Sequence, residues 1–168
     1  MSYDADIANK GLAATTLAKA RAYLTILRDR ALKRPSPTEE ELISRLSVLA
    51  ALADELHVAA IVDPVLAVAT WGKESGGYRL ARRLNDNGTT DLGPCGENSV
   101  HGRSDKLRLS RIDSIAFWRD VLAPRRVKLG QHPLADYNAW KSGDYVEMLP
   151  FAAEAWRRVT RPHPTAWP

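Results

Sequence analysis

Glu74 is the carboxylate in this sequence best placed for acid–base chemistry. It closes the run Asp63-Pro64-Val65-Leu66-Ala67-Val68-Ala69-Thr70-Trp71-Gly72-Lys73-Glu74, and Ser75-Gly76-Gly77 follows. Asp63 can cap a helix, Pro64 suits the first helical position, and the apolar residues between predict a buried helix with one carboxyl at its end. Trp71 precedes Glu74 by one turn and would project from the same face, where its indole could shield the carboxyl from water as a general acid requires. A Glu in the last turn of a helix is more often a solvated side chain; what sets this one apart is Asp91, seventeen residues on. The intervening Asn85-Asp86-Asn87-Gly88-Thr89-Thr90 predicts tight turns or a short hairpin. Two carboxylates, one on a helix end and one on a turn, could then face each other across a cleft.

The elements that must position them read as helices. From about Asp4 to Lys33, Leu17, Ala20, Leu24, Leu27 and Ala31 repeat at three and four, the apolar stripe of a helix whose face needs a partner. Pro35-Ser36-Pro37 interrupts the pattern. Ser36 or Thr38, followed by Glu39, Glu40 and Glu41, restarts it with a capping signal, and Leu42, Leu46, Leu49, Ala53 and Leu56 form a second stripe. His57 closes that helix. A long irregular loop is expected from Pro94 to Arg108, with Cys95 as a simple loop cysteine and His101 as a surface residue or a substrate contact. Arg111 to Leu122 predicts a helix ended by Pro124. Gln131-His132-Pro133 leads into a helix that carries Tyr137 and Asn138 and is ended by Gly143. Asp144 caps a last helix through Tyr145, Met148, Ala152 and Trp156, kinked or split at Pro150. The expectation is a mainly α protein with a small turn or hairpin region: an N-terminal helical extension over 1–35, one domain over 36–160 and an extended Pro-rich tail over 161–168.

A chain of 168 residues suffices for one domain with a real core. A single cysteine forbids an intramolecular disulfide, and neither CxxC nor HExxH is present, so no metal or other cofactor is expected. The acidic start, Met1 to Asp6, lacks the pattern of a secretory signal, and no apolar run is long enough to span a bilayer. The net charge of +4 suits an anionic polymer. The basic residues of Arg79 to Arg83, Arg103 to Arg108 and Arg125 to Lys128 lack interleaved aromatics, so a solvated face is expected for each run and no nucleic-acid partner.

Three blocks in order carry a family resemblance. Glu74-Ser75-Gly76, then Asn85 to Gly93, then Asn98-Ser99, resembles the Glu-Ser, Asn-x-(Asn/Asp)-Gly-(Ser/Thr)-x-Asp-x-Gly-x-x-Gln-Ile-Asn run of the lysozyme-like superfamily. Leu134-Ala135-Asp136-Tyr137-Asn138-Ala139 is similar to the Ala-x-Ala-Tyr-Asn-Ala segment of soluble lytic transglycosylases. The resemblance spans roughly Glu40 to Trp156 and implies a lysozyme-like helical domain that cuts the glycan strands of peptidoglycan. It implies Glu74 as acid, with Asp91 and Tyr137 beside it. Ser75 would orient the Glu74 carboxyl by a hydrogen bond, and Asn138 would hold the cleft wall. Gly93, Glu97, Asn98 and His101 would line the substrate path. Where the family has Gln, this chain has Gly96, with the extra acid Glu97 next to it.

Two courses of reaction stay open. A lytic transglycosylase would use Glu74 as acid and then base, closing an anhydro ring on muramic acid. A lysozyme would use Asp91 at the anomeric centre and finish with water. A wall enzyme without an export signal is expected to reach the wall by another route, as a phage lysin or a virion component, with self-association or virion docking through the first helix. The loss of the family Gln admits a wall-binding module that does not cut. A nucleic-acid contact would rest on charge alone.

Overall fold

The computed structural model describes residues 37–78 and 81–161. They form a mainly helical protein with one small three-stranded sheet. The helix expected over 4–33 and the tail after Arg161 lie outside the described residues.

Helix α1, Glu39–Glu55, starts at a full capping box. The Glu41 N–H donates to Thr38 Oγ1 at 3.2 Å and the Thr38 N–H donates to Glu41 Oε2 at 2.8 Å, satisfying two donors that the first turn would otherwise leave open. Helix α2, Pro64–Ser75, starts at Asp63, whose Oδ1 accepts from the Val65 and Leu66 N–H groups at 2.8 and 3.1 Å, and it ends at Gly76 with φ +62°. Residues 67–72 of α2 are buried all round. They are small enough for α1 to cross closely: a Cβ on Gly72 would stand 2.6 Å from Leu46 Cδ2.

The sheet follows α2. Strands β1, Arg82–Leu84, β2, Thr90–Leu92, and β3, Glu97–Asn98, are antiparallel in that order, with Arg83 opposite Asp91 and Asp91 opposite Asn98. The expected hairpin is the β1–β2 turn, where the Gly88 N–H donates to Asn85 O at 3.0 Å and φ at Gly88 is +80°, a conformation that suits glycine.

A 3₁₀ turn, Ser99–His101, and helix α3, Asp105–Leu109, replace much of the loop expected over Pro94 to Arg108. Helix α4, Arg111–Phe117, continues through a π turn, Trp118–Leu122, into α5, Ala123–Lys128, so Pro124 does not end the helical run. The Ala123 N–H bonds to Trp118 O, an i to i−5 bond that widens the backbone there, and Pro124 falls in the first turn of α5, where its missing N–H costs least.

Helix α6, Asn138–Ser142, ends at Gly143, and a 3₁₀ turn, Asp144–Met148, leads into α7, Leu149–Thr160. Asp144 makes no side-chain cap; Gly143, at φ +75°, holds the cap position instead. Pro150 lies in the first turn of α7 and so divides the run in two. Helix α7 packs along α1 and across α2 through Ala152 and Ala155, and Arg158 reaches Glu40 of α1 at 2.6 Å. Leu46, Leu49, Val68, Trp71, Ile115 and Trp118 fill the core between these helices. Among the described residues no helix is long and apolar enough to cross a membrane.

Candidate active site

The end of α2, the sheet and the start of α6 enclose a cleft of about 310 Å³. It is lined by Glu74, Asp91, Glu97, Asn98, His101, Tyr137 and Asn138, so seven residues singled out in the sequence share one wall. Ser75 and Gly93 are not on it. A shallower apolar hollow of about 440 Å³, lined by Ala60, Ile61, Pro124, Val127 and Lys128, contains none of these groups.

Glu74 reaches the cleft because α2 stops there. Its Oε1 accepts from the backbone N–H of Ala139 at 2.9 Å, which fixes the carboxyl against the first turn of α6. Its Oε2 has no hydrogen bond among the described residues. The orienting group is therefore Ala139, not Ser75. Ser75 Oγ donates to Trp71 O at 2.8 Å and accepts from the Gly77 N–H at 3.1 Å, closing the end of its own helix. Trp71 is fully buried, edge-on to Trp118 with ring centroids 5.1 Å apart. Lys73, on the next face, pairs with Glu147 at 2.9 Å and ties α2 to the Asp144–Met148 turn.

Asp91 is clamped. Oδ1 accepts from Asn98 Nδ2 at 2.7 Å and Oδ2 from Asn85 Nδ2 at 3.0 Å, and both amides also donate to Thr89 Oγ1 at 3.1 Å. Asn98 is further engaged as the cap of the Ser99–His101 turn, its Oδ1 accepting from the Val100 N–H at 3.0 Å. The Asn/Thr-rich hairpin that encodes the turn thus also supplies the partners of the acid it presents.

Glu97 is buried on β3, with Oε2 2.7 Å from Arg103 Nη1. Burial pushes its carboxyl above the usual range, and the charges of Arg103 and Arg108 pull the other way. Arg103 lies over the Phe117 ring at 4.3 Å. Arg108 is almost completely buried: its Nε and Nη2 donate to Glu97 O at 3.2 and 2.9 Å, Nη2 also to Thr90 O, and Nη1 to Asp105 Oδ1 at 3.0 Å. A solvated face over Arg103 to Arg108 is therefore corrected at these two residues, because strand carbonyls and Glu97 take up their donors. Gly93 belongs to the same packing and not to the cleft: at φ +76° it lies so close that a Cβ would overlap the carbonyl of Arg108.

His101 stands edge-on to Phe117, 5.5 Å between centroids. Burial lowers its pKa, with Arg125, Arg108 and Arg103 adding to the shift and Asp136 opposing it. Tyr137 precedes α6 and is buried; burial holds its hydroxyl well above the ordinary phenol value, and the nearby Cys95 and Glu74 add to this. Cys95 is itself part of the core at the cleft floor, where burial pushes its thiol up to about 12; it is inert at neutral pH. Trp140 is stacked between His132 and Tyr145, at 3.8 and 5.5 Å, and Trp118 is core.

Arg83 and Arg126 complete the rim, Arg126 held by Asp136 and by Gln131 Oε1 at 3.1 Å. Among the described residues no group of three His, Cys, Asp or Glu could hold a metal ion. The cleft therefore offers one carboxyl with an open oxygen, a second carboxylate fixed as a charge, and a buried phenol. No protein-family model matches the chain, and neither a curated protein nor a solved structure matches it.

Proposed function

We propose that this cleft cleaves the β-1,4-linked glycan of peptidoglycan, with Glu74 as the proton donor. The observation that carries the reading is the Glu74 carboxyl. It is presented at the end of a buried helix, is held through one oxygen by the Ala139 N–H, and shares a cleft with Asp91 and Tyr137. Glu74 protonates the leaving glycosidic oxygen, and Asp91 supplies negative charge to the oxocarbenium-like centre that develops.

The clamp on Asp91 favours the transglycosylase course. With both oxygens engaged by Asn85 and Asn98, the side chain suits fixed electrostatic support better than attack on the anomeric carbon. Glu74, deprotonated by the first step, then takes the proton of the muramic acid 6-hydroxyl, which closes the anhydro ring without water. A single carboxyl serves both steps, held in place by the same backbone N–H.

Glu74→Gln is expected to lower fragment release from purified murein by roughly 10²–10⁴-fold with an unchanged unfolding midpoint. Release at the parent rate contradicts the assignment. Mass spectrometry of the parent's products reads the course, since anhydro ends are lighter than reducing ends by one water.

Two observations favour a second reading, a wall-binding module. The Glu74–Ala139 bond gives the carboxylate a structural task, tying α2 to α6, and Gly96 stands where the resemblance has Gln. A murein zymogram separates the two, because a binder leaves no cleared zone.

A further inference from the structure

Helix α6 is too short to hold itself. At five residues, Asn138–Ser142, it falls well below the length at which a helix is stable alone in water, and its cap residue, Tyr137, makes no side-chain cap bond. Yet its second N–H, that of Ala139, fixes the Glu74 carboxyl, 2.9 Å from Oε1. The carboxyl is held through that one oxygen, so its direction follows the position of Ala139, and a hydrogen bond weakens steeply with misalignment.

The next residue supplies the anchor. Trp140 stacks on His132, with ring centroids 3.8 Å apart and planes 15° from parallel, and on Tyr145, at 5.5 Å and 22°. It packs against the core and does not line the cleft. His132 is itself fixed, its Nδ1 accepting from the Leu134 N–H at 3.1 Å. Tyr145 belongs to the Asp144–Met148 turn, which also carries Glu147, and Glu147 pairs at 2.9 Å with Lys73, the neighbour of Glu74 on α2. The contacts close a ring that runs from Glu74 to Ala139, from Trp140 to Tyr145, from Glu147 to Lys73, and back along α2.

The two ties differ in weight. The Lys73 and Glu147 side chains are 32 and 78% exposed, and an ion pair so open to solvent holds little. The stacked rings bury apolar area and keep a defined geometry, so the stack is the stronger tie.

We propose that Trp140 is a positioning residue of this site: through its stack on His132 and Tyr145 it sets the Ala139 N–H and thereby aims the Glu74 carboxyl. The inference rests on the reading of Glu74 as the proton donor and adds the device that holds it.

The test uses the full chain and three variants. Trp140→Leu keeps apolar bulk and removes the ring, and Trp140→Phe keeps a ring. His132→Asn still offers the Leu134 N–H an acceptor but cannot stack. Two quantities are read: kcat and KM on soluble peptidoglycan fragments, and the exchange of the Ala139 amide with deuterium by NMR. Trp140→Leu is expected to lower kcat by about 10–100-fold with KM within about threefold, the pattern of a misaimed group rather than of lost binding. It is expected to speed Ala139 exchange at least about tenfold while the amides of α7 keep their rates. His132→Asn is expected to move both quantities the same way by about three- to tenfold, and it decides the matter if Trp140→Leu does not fold. Trp140→Phe is expected to stay within about threefold of the parent. A purely structural role would speed exchange across the chain and leave kcat per folded molecule unchanged. That outcome, or unchanged Ala139 exchange in every folded variant, overturns the proposal. Glu74→Gln separates it from the acid assignment, because the Gln carbonyl still accepts from Ala139 and exchange stays slow although cleavage is lost. If the parent cleaves nothing, or Glu74→Gln cleaves as fast, the reading of Glu74 as the donor falls, and Ala139 exchange alone decides whether Trp140 aims the carboxyl.

Discussion

Asp91 closes the β1–β2 hairpin by accepting from two asparagine amides at once, so its charge is structural as well as electrostatic. Asp91→Asn keeps the shape but turns an N–H toward one of those amides. It is expected to cost about 1–3 kcal/mol, read as a lower urea midpoint, and an unchanged midpoint would show the clamp to be idle. Arg108 has no such latitude. Its donors satisfy the carbonyls of Glu97 and Thr90 in a buried site, and Arg108→Met is expected to lose on the order of 3 kcal/mol, measured by the same unfolding curve. His101 and His132 set a pH dependence. Burial lowers the pKa of both His101 and His132. The unfolded chain therefore takes up protons near pH 6.5 that the folded chain refuses, and their contribution to stability is lost as pH falls through that value. Glu97 acts in the opposite sense, since its raised pKa lets the folded state hold a proton above the unfolded value of about 4.5. Urea midpoints from pH 7.5 to 5.5 should fall for the parent and fall less for His101→Gln with His132→Gln; equal slopes would contradict this.

At the scale of elements, the two tight glycines separate a yielding contact from a rigid one. Gly72→Ala presses on the end of the flexible Leu46 side chain and is expected to cost about 1–3 kcal/mol. Gly93→Ala meets the backbone carbonyl of Arg108 from a left-handed conformation, and is expected to prevent the β2–β3 turn from forming. Comparable thermal midpoints for the two variants would refute the distinction. Local signals made much of this legible in the sequence. Asp63-Pro64 and Thr38 with Glu41 mark helix starts through bonds within a few residues, and Asn85 to Thr89 marks the hairpin for the same reason. What the sequence conceals depends on distant partners. Arg103 and Arg108 read as solvated because their acceptors, Glu97 and Thr90, are brought to them only by the sheet. Ser75 looks able to orient Glu74, but the carbonyl of Trp71, one turn back, is nearer to hand. Pro124 looks like a stop, and the π turn before it absorbs the missing donor.

Across the described body, stability and chemistry occupy different parts. Helices α1 and α7, joined by Ala-lined packing and the Arg158–Glu40 pair, brace α2 from behind, while the sheet, the Ser99–His101 turn and α6 form the cleft in front of its end. Glu74 stands at the junction, on the helix that both parts share. Its proton is the one on which the proposed cleavage depends. The most direct measurement is digestion of purified murein by the parent and by Glu74→Gln at matched folded concentration, with products weighed by mass spectrometry. The account expects anhydro-ended fragments from the parent and a loss of roughly 10²–10⁴-fold in the variant; equal fragment yields from the two proteins would contradict it.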